Sequence, residues 1–305
     1  MSNNHSHSDE GAAACYKEGD ENHPAYAEAI GKALSHNDEM AAQLREGLVP
    51  AKGNRLAVDS EPLSLVSLGE YAHDAILTAL DISAGLRKMI VRETPDAIEV
   101  EAVPAAPFVL ARSMLEAAGQ AFWILGPTSA SQRRIRCFRL LAAELRDAHR
   151  HLDEGARHLA GFTAPKLDFA KLEGEIRAAG LDPTGLDKNR VSAQGMWRSP
   201  SSSEVMKWCD SVRPGLANLG VLSEGRVTSW FNTWQLCSGF AHGRSWARMM
   251  GTDYTYIHES GPWRIRQAAP RVSFLALAVH DATEVVQAAL WRYARLSART
   301  DAAWR

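Results

Sequence analysis

From Phe108 to Leu125 nearly every residue is apolar or small, and the large polar exceptions are Arg112, Glu116 and Gln120. These three fall at i, i+4 and i+8, so a helix carries them on one stripe. A helix that is otherwise apolar all round is buried on most sides. Two readings of the stripe stand. Arg112 and Glu116 form an ordinary surface pair on the one solvent face, or they form a buried pair, because a lone buried charge is very costly.

Other segments carry the same helical period. Apolar residues recur at Tyr71, Ile76, Leu77, Leu80, Leu86, Met89 and Ile90, behind the helix-starting chemistry of Ser60-Glu61-Pro62. A long helix capped by Ser129 or Ser131 has its stripe at Ile135, Phe138, Leu141, Leu145, Ala148, Leu152 and Leu159. Lys166 to Ala179 also reads as a helix, and Ser201 and Glu204 have capping-box spacing before a short one. Arg226 to Ala241 is a helix dense in aromatics (Trp230, Phe231, Trp234 and Phe240), and Arg271 to Arg299 is the last long helix. Thr94 to Pro107 carries three prolines and reads as a connector. Alternation over Tyr254 to His258 and Trp263 to Gln267, around Glu259-Ser-Gly-Pro262, predicts a hairpin. The expected fold is all-α: an antiparallel bundle of four to five long helices with one small β-hairpin and no other sheet.

The same pass divides the chain. Residues 1–24 are polar, lack periodicity and read as a disordered tail. Residues 25–60 read as a short helix ending near Gly47 and a linker. Residues 61–305 read as the helical-bundle domain, with a mobile loop over 180–203, where Pro183, Gly185, Gly195, Pro200 and a serine run cluster.

With 46% hydrophobic residues in 305, the chain can build a core without staples. The formal net charge of −2 demands neither nucleic acid nor an acidic membrane. The four cysteines, Cys15, Cys137, Cys209 and Cys237, form no CxxC pair. That argues against zinc and against a disulfide framework, and it fits a reducing, cytoplasmic setting. The segment MSNNHSHSDE has no apolar core of a secretory signal. No run of 18 apolar residues marks a membrane helix, so no membrane partner is expected.

Polar residues also interrupt the aromatic helix. Gln235, Ser238 and His242 share one face, and His242 stands at the helix end, where the negative end of the dipole acts on an imidazole. A histidine capping the last carbonyls is the plainer reading. Glu70 and His73 give the one Glu-x-x-His spacing, whereas a di-iron bundle needs two. His280 and Glu284 lie at i, i+4. There is no HExxH, no His/Cys quartet, no GxSxG, no GxxxxGK[ST] and no GxGxxG after a strand. No metal and no cofactor are therefore expected, and the candidate site residues are Arg112, Glu116, Ser238 and His242.

The run Ala111-Arg-Ser-Met-Leu-Glu-Ala-Ala, then Trp123, an Arg-rich long helix and Cys237-Ser-Gly-Phe-Ala-His-Gly resembles a broad group of uncharacterised bacterial helical proteins. That group pairs an Arg-x-x-x-Glu helix with a later Ser-x-x-x-His helix, and it distantly resembles HEPN domains, helical domains of many toxin and phage-defence ribonucleases. The resemblance implies metal-independent RNA cleavage, with an Arg polarising phosphate and a His moving the 2′-OH proton. The family's Arg-polar-spacer-His pattern has one match, Arg146-Asp147-Ala-His-Arg-His151, inside the long Arg-rich helix. His242 has no Arg four to six residues before it.

Two functions of different class follow. One is a helical-bundle module whose polar network, Arg112, Glu116, Ser238 and His242, binds a ligand or partner. The other is a HEPN-like metal-independent ribonuclease of stress response or phage defence. RNA or protein are the partners these readings admit, and a homodimer is compatible with both. The basic residues Arg133, Arg134, Arg136, Arg139, Arg146 and Arg150 would serve RNA, but Glu144, Asp147, Asp153 and Glu154 interrupt them, which reads as a mixed solvated face.

Overall fold

The structure is a computed structural model and describes residues 23–47, 53–61, 63, 67–94, 97–101, 103–158, 169–184, 197–222, 229–260 and 263–298. Five helices among them have 20 residues or more: α1 (His23–Gly47), α3 (Leu68–Ile90), α4 (Ala106–Leu125), α5 (Ala130–His158) and α10 (Val272–Ser297). Shorter ones are α2 (Arg55–Ser60), α6 (Phe169–Ala178), α7 (Ser202–Asn218), α8 (Trp230–Ala241) and α9 (Ser245–Gly251). The fold is all-α, a helical bundle.

The apolar helix α4 is the hub. It packs against α3, α10, α8, α7 and α5. Phe108, Ala111, Met114, Leu115, Ala118 and Ala121 are buried along its length. Having neighbours on most sides is what an apolar surface without a wide polar face demands. Small residues let those neighbours approach. A Cβ on Gly119 would lie 2.9 Å from the Met206 sulfur of α7.

Four boundaries depart from the sequence reading. The segment expected to be a short helix is the 25-residue α1, and Ile30, Leu34, Met40 and Leu44 bury it against α3 and α10. His23 and Pro24, assigned to the tail, already open that helix, where proline is tolerated; the rest of the tail lies outside the described residues. The expected linker contains α2, whose N-cap Asn54 accepts from Ala57 N at 2.7 Å and donates to Ser297 O at 3.0 Å. Helix α3 starts after Ser67, not at Ser60, because Ser67 and Glu70 complete a reciprocal capping box.

There is also more sheet than expected. The connector after α3 holds an antiparallel pair, β1 (Val91–Glu93) and β2 (Ile98–Val100). The expected hairpin is β3 (Thr252–Ser260) with β4 (Trp263–Pro270), and a register shift falls between Tyr256 and His258. Of the loop expected to be mobile, residues 185–196 lie outside the described residues. Its edge is pinned, since Trp197 is fully buried and its Nε1 donates to Asp182 O at 2.9 Å.

Candidate functional site

Arg112 and Glu116 do pair, with Arg112 Nε 3.0 Å from Glu116 Oε1. Their side chains are 23% and 24% exposed, so the stripe is neither a free solvent face nor a sealed interior. The same Oε1 accepts Trp234 Nε1 of α8 at 2.9 Å. Glu116 thus joins α4 to α8 through a charge-assisted bond. One turn further along the stripe, Gln120 opens onto a separate cleft of about 330 Å³ with Tyr71, Asp74, Ala75, Thr78, Ala117 and Glu144. There Tyr71 donates its hydroxyl to Glu144, and burial pushes the Tyr71 phenol well above its ordinary range.

The other two candidates lie elsewhere on α8. Ser238 is half-buried and His242 is exposed at the C-cap. Glu116 Oε1 is taken by Trp234, eight residues before His242, and His242 itself is exposed rather than enclosed in the bundle. His242 sits where the chain leaves the bundle. Gly243 takes φ +63°, Gly243 N donates to Phe240 O and Arg244 N to Gly239 O. This left-handed turn ends α8 and is why a glycine follows the histidine. Nothing bonds the His242 ring among the described residues.

Beyond the turn the surface changes character. Trp246, Met249 and Met250 of α9 and Tyr254 of β3 are exposed, Met249 by 70%. Arg244 and Arg248 stand beside them without an ion pair among the described residues, whereas Arg271 is held by Asp253 at 2.8 Å. A groove of about 640 Å³ runs between Arg248, Met249, Asp253, Tyr254 and Arg271. The platform is anchored from below. A Cβ on Gly239 would lie 2.6 Å from Ala247 and 2.8 Å from Trp246, so only a bare glycine lets α9 lie this close to α8. Phe240 stacks on Phe108 at 4.1 Å.

The arginines of α5 are mostly committed to the protein. Arg133 is fully buried on Asp59 at 2.5 Å and on the carbonyls of Pro127 and Thr128. Arg134 binds Asp59 O and Val58 O at the end of α2. Arg136 binds Trp123 O and lies over the Trp123 and Trp208 rings. Arg139 reaches Glu204 and Arg198 O, and Arg146 is buried on Ser199 at 2.6 Å. Arg150 remains exposed, paired with Asp147. The mixed solvated face expected from the sequence is thus largely a set of struts, and His151 lies exposed beyond a buried Arg146. Arg264 and Arg266 lie on β4, where their side chains are outside the described residues.

The sequence reading missed a buried polar cluster on α10. Asp281 is fully buried and accepts Thr233 Oγ1 at 2.5 Å. Glu284 is buried, and its Oε2 accepts Arg213 Nε and Nη2 at 3.3 and 3.1 Å and Trp230 Nε1 at 3.0 Å. His280 Nδ1 lies 3.9 Å from Glu284 Oε1. The His280/Glu284 spacing was visible, but i, i+4 pairs are common on exposed helix faces. The other metal-like spacing is spent on structure: Glu70 belongs to the capping box, and the His73 ring lies 6.0 Å from that of Tyr293.

No helix among the described residues is long and apolar enough to cross a membrane. No family profile matches the chain, and neither the curated proteins nor the solved structures provide a match.

Proposed function

We propose that this chain is a non-enzymatic helical-bundle module that docks a protein partner at the end of the bundle where α8 turns into α9. The observation that carries this reading is the cluster of exposed Trp246, Met249, Met250 and Tyr254 beside Arg244 and Arg248, which make no ion pair among the described residues. Trp, Tyr, Met and Arg are the residue types enriched at the cores of protein interfaces. The polar network serves as the strut: Arg112 and Glu116 hold Trp234, and with it α8, in place. The partner chemistry is an apolar surface edged by carboxylates, because the exposed Arg244 and Arg248 edge this patch. A symmetric homodimer through this patch would bring Arg244 and Arg248 of both copies into one small interface, and that gathering of like charge disfavours it. RNA along α5 is disfavoured because most of its guanidiniums are already bonded within the chain.

The test uses three labelled probes in fluorescence anisotropy: an amphipathic peptide with Leu/Phe and Glu faces, its Lys-faced counterpart, and single-stranded oligouridylate. The Glu-faced peptide binds best, binding weakens with salt, and Trp246→Ser with Met249→Ser weakens it about tenfold or more. Equal binding of both peptides, or binding of oligouridylate alone, overturns the reading. Cleavage of oligouridylate in EDTA that is lost in His242→Ala favours the HEPN-like ribonuclease instead.

A further inference from the structure

We propose that His280, Asp281 and Glu284 of α10 form a binding site for one divalent transition-metal ion. One potential ligand atom from each lies within 4.8 Å of the others. An imidazole with two carboxylates suits a borderline divalent ion such as zinc, iron, cobalt or manganese.

The two oxygens of Glu284 are unequal. Oε2 is crowded by Arg213 and Trp230, while Oε1 is buried, accepts no hydrogen bond among the described residues and faces the His280 ring. A buried carboxylate oxygen without a donor is costly to leave so, and a cation at that point satisfies it. The surrounding bonds have the form expected around metal ligands, whose orientation is fixed by a second layer of donors. Thr233 Oγ1 holds Asp281 Oδ2, and Arg213 and Trp230 hold Glu284 Oε2. On Glu284 one oxygen is gripped in this way and the other is left to ligate. His280 is the rim of the site, with a side chain 29% exposed, and it gives an ion a way in. Three ligands from one helix leave further coordination positions for water or a small anion.

The experiment is a cobalt titration of the full chain after chelator treatment, followed by visible absorption. One equivalent of Co²⁺ should produce saturating d–d bands, and the bound ion should raise the melting temperature. His280→Ala and Glu284→Gln should abolish the bands. The partly exposed His280 keeps the test valid if Glu284→Gln does not fold. A chain with His5→Ala and His7→Ala should retain the bands. Their absence in the wild-type chain, their persistence in His280→Ala, or their loss with the tail histidines overturns the proposal.

Discussion

Trp234 Nε1 lies 2.9 Å from Glu116 Oε1, and through that bond the aromatic helix α8 is tied to the central helix α4. Glu116 accepts Arg112 on the same oxygen, so the three side chains act together. An exposed ion pair is worth at most about 1 kcal/mol, and breaking a buried one costs about 3–5 kcal/mol. With side chains about a quarter exposed, Arg112→Met and Glu116→Gln should each cost about 1–2 kcal/mol in urea melts, with a coupling of about 1 kcal/mol. Trp234→Phe should cost a similar amount. A coupling near zero between Arg112 and Glu116 would show that the pair does not act as a unit.

Arg133 and Asp59 behave differently, because their side chains are 0% and 2% exposed. Arg133→Met leaves the Asp59 carboxylate buried without its cation, and Asp59→Ala does the same to the guanidinium. Each should cost about 3–5 kcal/mol, well above the Arg112 variants. Urea midpoints measured side by side decide the order, and equal losses would contradict the burial argument.

Helix α1 should mark where the chain stops being dispensable. Removing residues 1–22 should leave the melting temperature unchanged, because their composition favours a tail. Removing residues through Gly47 takes away Ile30, Leu34 and Leu44, all buried against α3 and α10. Each such side chain is worth about 1.5–3 kcal/mol, so that deletion should abolish cooperative unfolding in calorimetry.

The buried thiols set an alkaline limit. Burial pushes Cys137 up to about 12 and raises Cys209 and Cys237 as well. The folded state therefore holds protons that an unfolded thiol releases at about pH 8.5. The stability is fully present below that pH and is lost as pH rises towards the folded values. By pH 10 the loss should reach about 2 kcal/mol per thiol. Urea midpoints at pH 8 and pH 10 check the sign, and an unchanged midpoint would refute it.

What could be read from the chain follows from how local each signal is. The composition of α4 already required neighbours on most sides, and Arg112 and Glu116 meet at the i, i+4 spacing that any helix provides. The start of α3 shows local ambiguity. Ser60-Glu61-Pro62 and Ser67-x-x-Glu70 are both starting signals, and the reciprocal bonds of the second decide between them. The arginines of α5 could not be sorted from sequence, because nothing local distinguishes Arg133, buried on Asp59 74 residues away, from Arg150, paired with its neighbour Asp147.

The sequence by itself determined the long helices of the bundle, their apolar faces and the pairing of Arg112 with Glu116, because period and spacing act within a few residues. Only the tertiary structure decided what those faces meet. Trp234 rather than His242 reaches Glu116, and α9 leaves Trp246 and Met249 in the open. Packing of α7 and α8 on α10 encloses Asp281 and Glu284 with Thr233, Trp230 and Arg213. The physical reason is that burial and partnership of a charge depend on which distant surface arrives over it, and that is fixed by the packing of whole helices rather than by the residues on either side.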